Sequence, residues 1–224
     1  MKIQLGFALI LASVPGAFGS LIPLTPANVI GFLGAYPGPF PASSILDHQT
    51  GTITEPAQDG SYWLNSDNGP ANAYIVIDLG AGFQLASFDL FNTHNANFGD
   101  RGTGSFLIQA SNSIAPGVGS SSGSDLSGTI VTLVSGTLLA ANPSPLSGPL
   151  VAQTFLSSNS GTFRYIRFSP QSVASFNAPC CGTNVYGLNE LRAFDTASTV
   201  PEPATMALLG VGLAVLGLLR KRTA

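Results

Sequence analysis

Between residues 20 and 199 the chain is a succession of short apolar runs, each ended within a few residues by Gly, Asn, Ser or Pro. No stretch there repeats its apolar residues at helical spacing. The run Tyr74-Ile75-Val76-Ile77-Asp78-Leu79 stops at Gly80 and reads as a core strand. Residues 85–91 follow, then 105–110, 129–139, 152–156, 163–168 and 188–194, with an earlier strand near 27–33. Many short strands on turn-rich connections predict an all-β sandwich or barrel. Residues 117–128 are almost wholly Gly and Ser and read as a mobile loop.

Both ends stand apart from this pattern. Met1-Lys2 is basic, residues 3–14 are almost wholly apolar, and Ala17-Phe18-Gly19 offers small residues where a signal peptidase inspects. Residues 1–19 therefore read as a secretory signal peptide, cleaved before Ser20. At the other end Pro201-Glu202-Pro203 precedes an uncharged run over 204–219 and then Arg220-Lys221-Arg222. As a helix that run is about 24 Å long, short of a hydrocarbon core of roughly 30 Å. Its basic end stays cytoplasmic by the positive-inside bias. Residues 200–224 closely resemble the PEP-CTERM sorting signal of Gram-negative bacteria. The resemblance implies recognition and cleavage by an exosortase, transient inner-membrane association, and delivery to the cell surface or extracellular matrix. Residues 20–199 form one domain's worth of chain, with Ala197-Ser198-Thr199 as a small polar linker.

The middle carries four arginines, no lysine and ten acids. No basic stripe exists to neutralise phosphates, which excludes nucleic acid as a partner. A mildly acidic surface suits neutral glycans or cations. The two cysteines, Cys180 and Cys181, are adjacent. Their Cα atoms lie about 3.8 Å apart, closer than the roughly 4.4–6.8 Å of ordinary disulfides. A strained vicinal bridge, an intermolecular bridge and two thiols all stay open, and an oxidising compartment favours the first. Catalysis has little support. Gly119-Ser120-Ser121-Ser122-Gly123 matches a nucleophile-elbow pattern only through composition. Nothing orders His48 or His94 into a triad, no carboxylate pair is singled out, and two histidines with paired cysteines do not make a zinc site.

The order of the strands resembles a discoidin domain, the coagulation-factor 5/8 type C family. The resemblance lies in Tyr62-Trp63, the run from Tyr74 to Gly80, Phe88-Asp89-Leu90, Phe106 to Ser111, Phe163-Arg164-Tyr165-Ile166-Arg167-Phe168, and Gly187 to Phe194. It covers roughly residues 42–194. It implies a galactose-binding-like jelly-roll sandwich of about eight antiparallel strands. The long Gly/Ser insertion after Ser111 and the lack of a disulfide joining the domain ends depart from the family. Members often hold a structural calcium ion. Here the resemblance makes Asp47, Thr50 and Glu190 the candidate ligands, with Thr52 an alternative source of a carbonyl; His48 stands where Gly is usual. Calcium takes six to eight hard oxygens, which short loops supply. The alternative is that Asp47 caps a turn while Glu190 pairs with Arg164 or Arg192.

The densest polar segment is residues 92–103. Asn92, His94, Asn95, Asp100 and Arg101 supply the planar donors and acceptors that read sugar hydroxyls, and Trp63 or Phe98 offers a ring to stack on a sugar face. The alternative is a local Asp100–Arg101 ion pair in a loop that merely turns the chain. Arg164 and Arg167 read as structural. The expectation is an exported, non-catalytic module binding extracellular polysaccharide. The competing expectation is a structural or adhesive matrix protein that contacts other proteins and has no sugar site.

Overall fold

The computed structural model describes residues 19–55, 60–96, 98–119, 121–141 and 148–196, all within the compact unit Gly19–Thr196. The signal peptide and the tail, including Pro201, Glu202 and Pro203, lie outside the described residues. Among the described residues no helix is long and apolar enough to cross a membrane.

Among the described residues eleven strands build the unit: β1 Val29–Leu33, β2 Trp63–Leu64, β3 Tyr74–Phe91, β4 Ser105–Ser111, β5 Ser113–Pro116, β6 Ser122–Ser127, β7 Val131–Thr137, β8 Gln153–Leu156, β9 Thr162–Pro170, β10 Gly187–Leu188 and β11 Glu190–Asp195. Two short 3₁₀ turns, Pro26–Asn28 and Ala42–Leu46, complete it. The main layer runs β5-β6-β1-β3-β9-β4-β7, and β8 and β11 flank the far half of β3. All strand pairings among the described residues are antiparallel, as the jelly-roll expectation requires.

The expected strands 74–79 and 85–91 are one continuous strand. β3 pairs with β9 through Ile75↔Phe168 to Gln84↔Thr162. It then passes to the second layer, pairing Phe88 with Ala193 and with Phe155. The crossing falls where Gly80, Ala81 and Gly82 are exposed, and Gly80 takes a φ of 83° that a Cβ would strain. Ile75, Ile77 and Leu79 from the first half meet Phe88 and Leu90 from the second, with Phe106, Ile108, Ile166, Phe168 and Leu191, in one core.

The Gly/Ser segment is not a loop throughout. It forms β6, which pairs with β5 and, through Gly31↔Gly123 and Phe32↔Ser122, with β1. Low-complexity composition hides this because glycine carries no apolar pattern, yet close approach is why glycine is there. A Cβ on Gly31 would lie 1.9 Å from Ser124 O, and one on Gly123 2.1 Å from Ile30 O. The hairpin covers the outer face of the sheet, burying Tyr74 and Val76 with Leu33 and Leu126. Arg167 pins it there: Nη1 donates to both Asp125 oxygens at 2.9 Å and Nη2 to Gln109 Oε1 at 2.7 Å. Burial on both faces explains why residues 74–77 read as a continuous apolar run rather than an alternating one. Arg164 is structural in the same sense, clamping Asp78 through two 2.9 Å bonds that hold this carboxyl below its ordinary pKa.

Candidate functional site

The segment after β1, the β3–β4 loop and the β9–β10 loop converge on a cavity of about 380 Å³. Tyr36, Pro39 and Phe40 line one side, Asn95, Phe98, Asp100 and Arg101 another, and Cys180 and Cys181 a third. The aromatic side is stacked in series, with Phe40 4.9 Å from Tyr62 and edge-on to Tyr36 at 5.8 Å. Phe98 is 48% exposed. Phe176, 60% exposed, stands next to Asn177, which fastens the Phe98 backbone by donating from its side chain to Phe98 O at 2.5 Å and from its N–H to Gly99 O at 2.7 Å.

Three of the residues expected to bind sugar line this cavity. Asn95 sits at φ 52°; its Oδ1 accepts from Tyr62 Oη at 3.2 Å and its Nδ2 donates to Asp100 Oδ1 at 2.7 Å. Arg101, 4% exposed, lies over the Tyr36 ring at 5.1 Å. It donates to Asn65 O at 3.3 Å, to Asp67 Oδ1, and to Cys180 Sγ at 3.7 Å. Burial works against its charge, but Asp67 and Cys180 outweigh burial and its pKa is raised. Arg101 therefore pairs with Asp67 rather than with its neighbour Asp100.

The other three expected residues face inward. Trp63 is fully buried, donates from Nε1 to Gly34 O at 3.0 Å and meets Phe168 edge-on; it presents no face to a ligand. Asn92 is a buried brace, donating to Thr103 O and Leu139 O and accepting from the Thr103 N–H, all at 2.9 Å. His94 is buried with Nδ1 3.5 Å from Glu55 Oε1. Glu55, which no pattern in the sequence singles out, is the plug of the loop. Its carboxylate accepts from Thr93 Oγ1 at 2.7 Å, Ala96 N–H at 2.6 Å and Asn189 Nδ2 at 3.2 Å. Burial raises its pKa against the opposing pull of His94 and these donors.

Cys180 and Cys181 are free thiols in this structure, not the favoured vicinal bridge. Burial first, and Asp100 with it, pushes the Cys180 thiol up to about 12. Ser121 of the nucleophile-elbow match lies between β5 and β6, where its Oγ donates to Val118 O.

The expected calcium loop lies elsewhere. Asp47, His48 and Glu190 bring one ligand atom each within 4.8 Å of one another. Glu190 is buried; Oε2 accepts from the His48 N–H at 3.0 Å, and Oε1 accepts from Gln49 Nε2. His48 Nδ1 is 2.5 Å from Asp47 Oδ1. The loop carbonyls are turned to Arg192: His48 O accepts from Nε at 3.1 Å and Nη2 at 2.7 Å, and Gly51 O accepts from Nη2 at 2.9 Å. Calcium needs six to eight oxygens. Here a guanidinium holds the carbonyls and adds a charge that repels a dication, so the donor set does not fit calcium. Thr50 is exposed and adds nothing that changes this balance.

Residues 199–222 match the PEP-CTERM protein-sorting motif, which indicates export to the cell surface. No curated protein matches the chain in sequence. Among solved structures, a family 32 carbohydrate-binding module from a family 31 glycoside hydrolase of Clostridium perfringens superposes with a TM-score of 0.50 at 12% identity, over 77% of this chain and 94% of that one. The family 32 module of C. perfringens NanJ, solved with galactose, gives 0.49 at 14% identity over 78% and 98%. A module of C. perfringens solved with GalNAc-β-1,3-galactose gives 0.49 at 13% identity over 78% and 99%. The chain joins a PEP-CTERM sorting motif to a sandwich of the galactose-binding-like jelly-roll fold.

Proposed function

We propose that this is an exosortase-sorted surface or matrix protein whose sandwich binds exopolysaccharide without catalysis, at the Tyr36–Arg101–Cys180 cavity. One observation carries the reading: aromatic rings and convergent planar polar groups share a single preorganised hollow at the loop end of the sandwich. Exposed Phe98 offers a sugar face a ring, and Asn95 and Asp100 offer its hydroxyls donors and acceptors held in place by their own hydrogen bonds. The fold is that of a carbohydrate-binding module, which supports the class of ligand and not its identity. The reading assigns the loop of Asp47 no calcium, because Arg192 already holds its carbonyls.

A second reading, a structural or adhesive matrix protein, draws on the inward-facing half of the same loop, where Asn92, Thr93 and His94 serve only to build it. Binding of the full chain, purified in mild detergent, to a glycan and exopolysaccharide array with calcium and with chelator separates the two. The first reading expects saturable binding that survives chelation. Silence across the array from a folded sample favours the second.

A further inference from the structure

We propose that the glycan cleft continues past Tyr36 into a second subsite, so that the protein holds at least two consecutive sugar residues without acid groups, one on each side of the Tyr36 ridge. The inference rests on the carbohydrate reading above and adds the length and charge of what is bound. Beside the first cavity lies a hollow of about 210 Å³ lined by Tyr36, Pro37, Ser66 and Asp67. Tyr36 borders both hollows. The second is below the roughly 300–1,000 Å³ typical of an independent ligand site, so it works as an extension of its neighbour.

The two hollows are built as one unit. Arg101 lines the first and Asp67 the second, and their ion pair links them. The Asn68 N–H donates to Cys181 O at 3.1 Å, so the turn holding Ser66 and Asp67 is bonded to the cysteine turn that walls the first hollow. The ridge is fixed at its base, where the Tyr36 N–H donates to Leu64 O at 2.8 Å. A cleft assembled before the ligand arrives loses little entropy on binding. The chemistry of the second hollow is that of a sugar hydroxyl's partners: the half-buried Ser66 offers a hydroxyl, and Asp67 offers a carboxylate whose side chain is 40% exposed. Arg101 balances Asp67, while Asp100 lines the first hollow with the uncharged Asn95 as its partner, so the cleft keeps a net negative charge that disfavours a uronate.

The test is calorimetric titration of the full chain with galactose, galactobiose and galactotetraose, and with N-acetylglucosamine and its β-1,4 dimer and tetramer. The expected result is a gain of about tenfold from monomer to dimer in one series, the equivalent of about 1.4 kcal/mol, with less added beyond. Ser66→Ala and Asp67→Asn each reduce that gain, and Ser66→Ala leaves monosaccharide affinity within about twofold of the parent, below a 1.4 kcal/mol step. Equal affinity for monomer and oligomers overturns the second subsite and leaves the carbohydrate reading standing. A length gain that persists in both variants also overturns it, since the extra residue then lies elsewhere. No binding by any sugar in either series, with the array silent as well, takes down both readings together.

Discussion

At the scale of single residues the loop between β3 and β4 divides its labour by direction. Asn95, Phe98, Asp100 and Arg101 face the cavity, whereas Asn92, Thr93 and His94 face Glu55 and the backbone. This division sorts the effects of mutation. Phe98→Ala removes an exposed ring that little else depends on. It should weaken glycan binding about tenfold while shifting stability by less than about 0.5 kcal/mol. Arg101→Met removes a buried cation bonded to Asn65, Asp67 and Cys180. It should weaken binding and also cost about 1–3 kcal/mol, the lower part of the range for a partner as exposed as Asp67. Paired glycan titration and thermal unfolding would show the split; equal stability losses in the two variants would refute it. Glu55→Ala leaves Ala96 N–H, Thr93 Oγ1 and Asn189 Nδ2 without their acceptor in a dry interior. Its expected cost is about 2–5 kcal/mol, read as a drop in the unfolding midpoint. The polar richness of residues 92–103 was visible in the sequence, but not which way each side chain points, because that depends on Glu55, some 40 residues away and in no pattern of its own. Trp63 misled for a related reason: a large aromatic beside a loop reads the same whether its ring faces solvent or Phe168.

At the scale of elements, apolar runs were legible wherever side chains record the face they cover. β4, β9 and β11 were found nearly to their ends because their inward residues are Phe, Ile, Leu and Ala at alternate positions. The continuity of β3 was hidden by Gly80-Ala81-Gly82, which reads as a turn and serves as a sheet crossing. The β5–β6 hairpin was hidden more deeply, since its pairing with β1 depends on missing side chains. Gly31→Val tests this. The new Cβ would meet Ser124 backbone 1.9 Å away, so β6 must lift off the sheet edge or β1 must shift. The expected loss is about 1–3 kcal/mol, and amide exchange should quicken in residues 122–127 while β4 and β9 stay protected. Unchanged exchange in β6 would show that its pairing with β1 is dispensable to the hairpin. Arg167 and Asp125 then become the remaining tether.

At the scale of the whole molecule, the charge buried at the closing strand couples stability to pH. Burial pushes the Glu190 carboxyl from an ordinary 4.5 up to about 8, with Asp47 adding to the rise and the His48 N–H, Gln49 and Arg192 opposing it. Glu55 is raised in the same direction. A carboxyl whose folded pKa exceeds its unfolded one binds its proton more tightly in the folded state, so the unfolded chain releases protons first as pH rises. The stability that Glu190 contributes is therefore complete below about pH 4.5 and is lost progressively as pH climbs through about 8. The unfolding midpoint should fall across that window, and Glu190→Gln should flatten the fall by removing the titration. Calcium makes the test sharper. An ion seated on Glu190 would hold it ionised, pull its pKa down and erase the slope. With Arg192 occupying the carbonyls of His48 and Gly51, the slope should be the same in calcium and in chelator. A slope that vanishes on adding calcium would show that the ion displaces the guanidinium. A slope unchanged by the metal but abolished in Glu190→Gln would show that Glu190 carries the titration with no calcium ion seated on it.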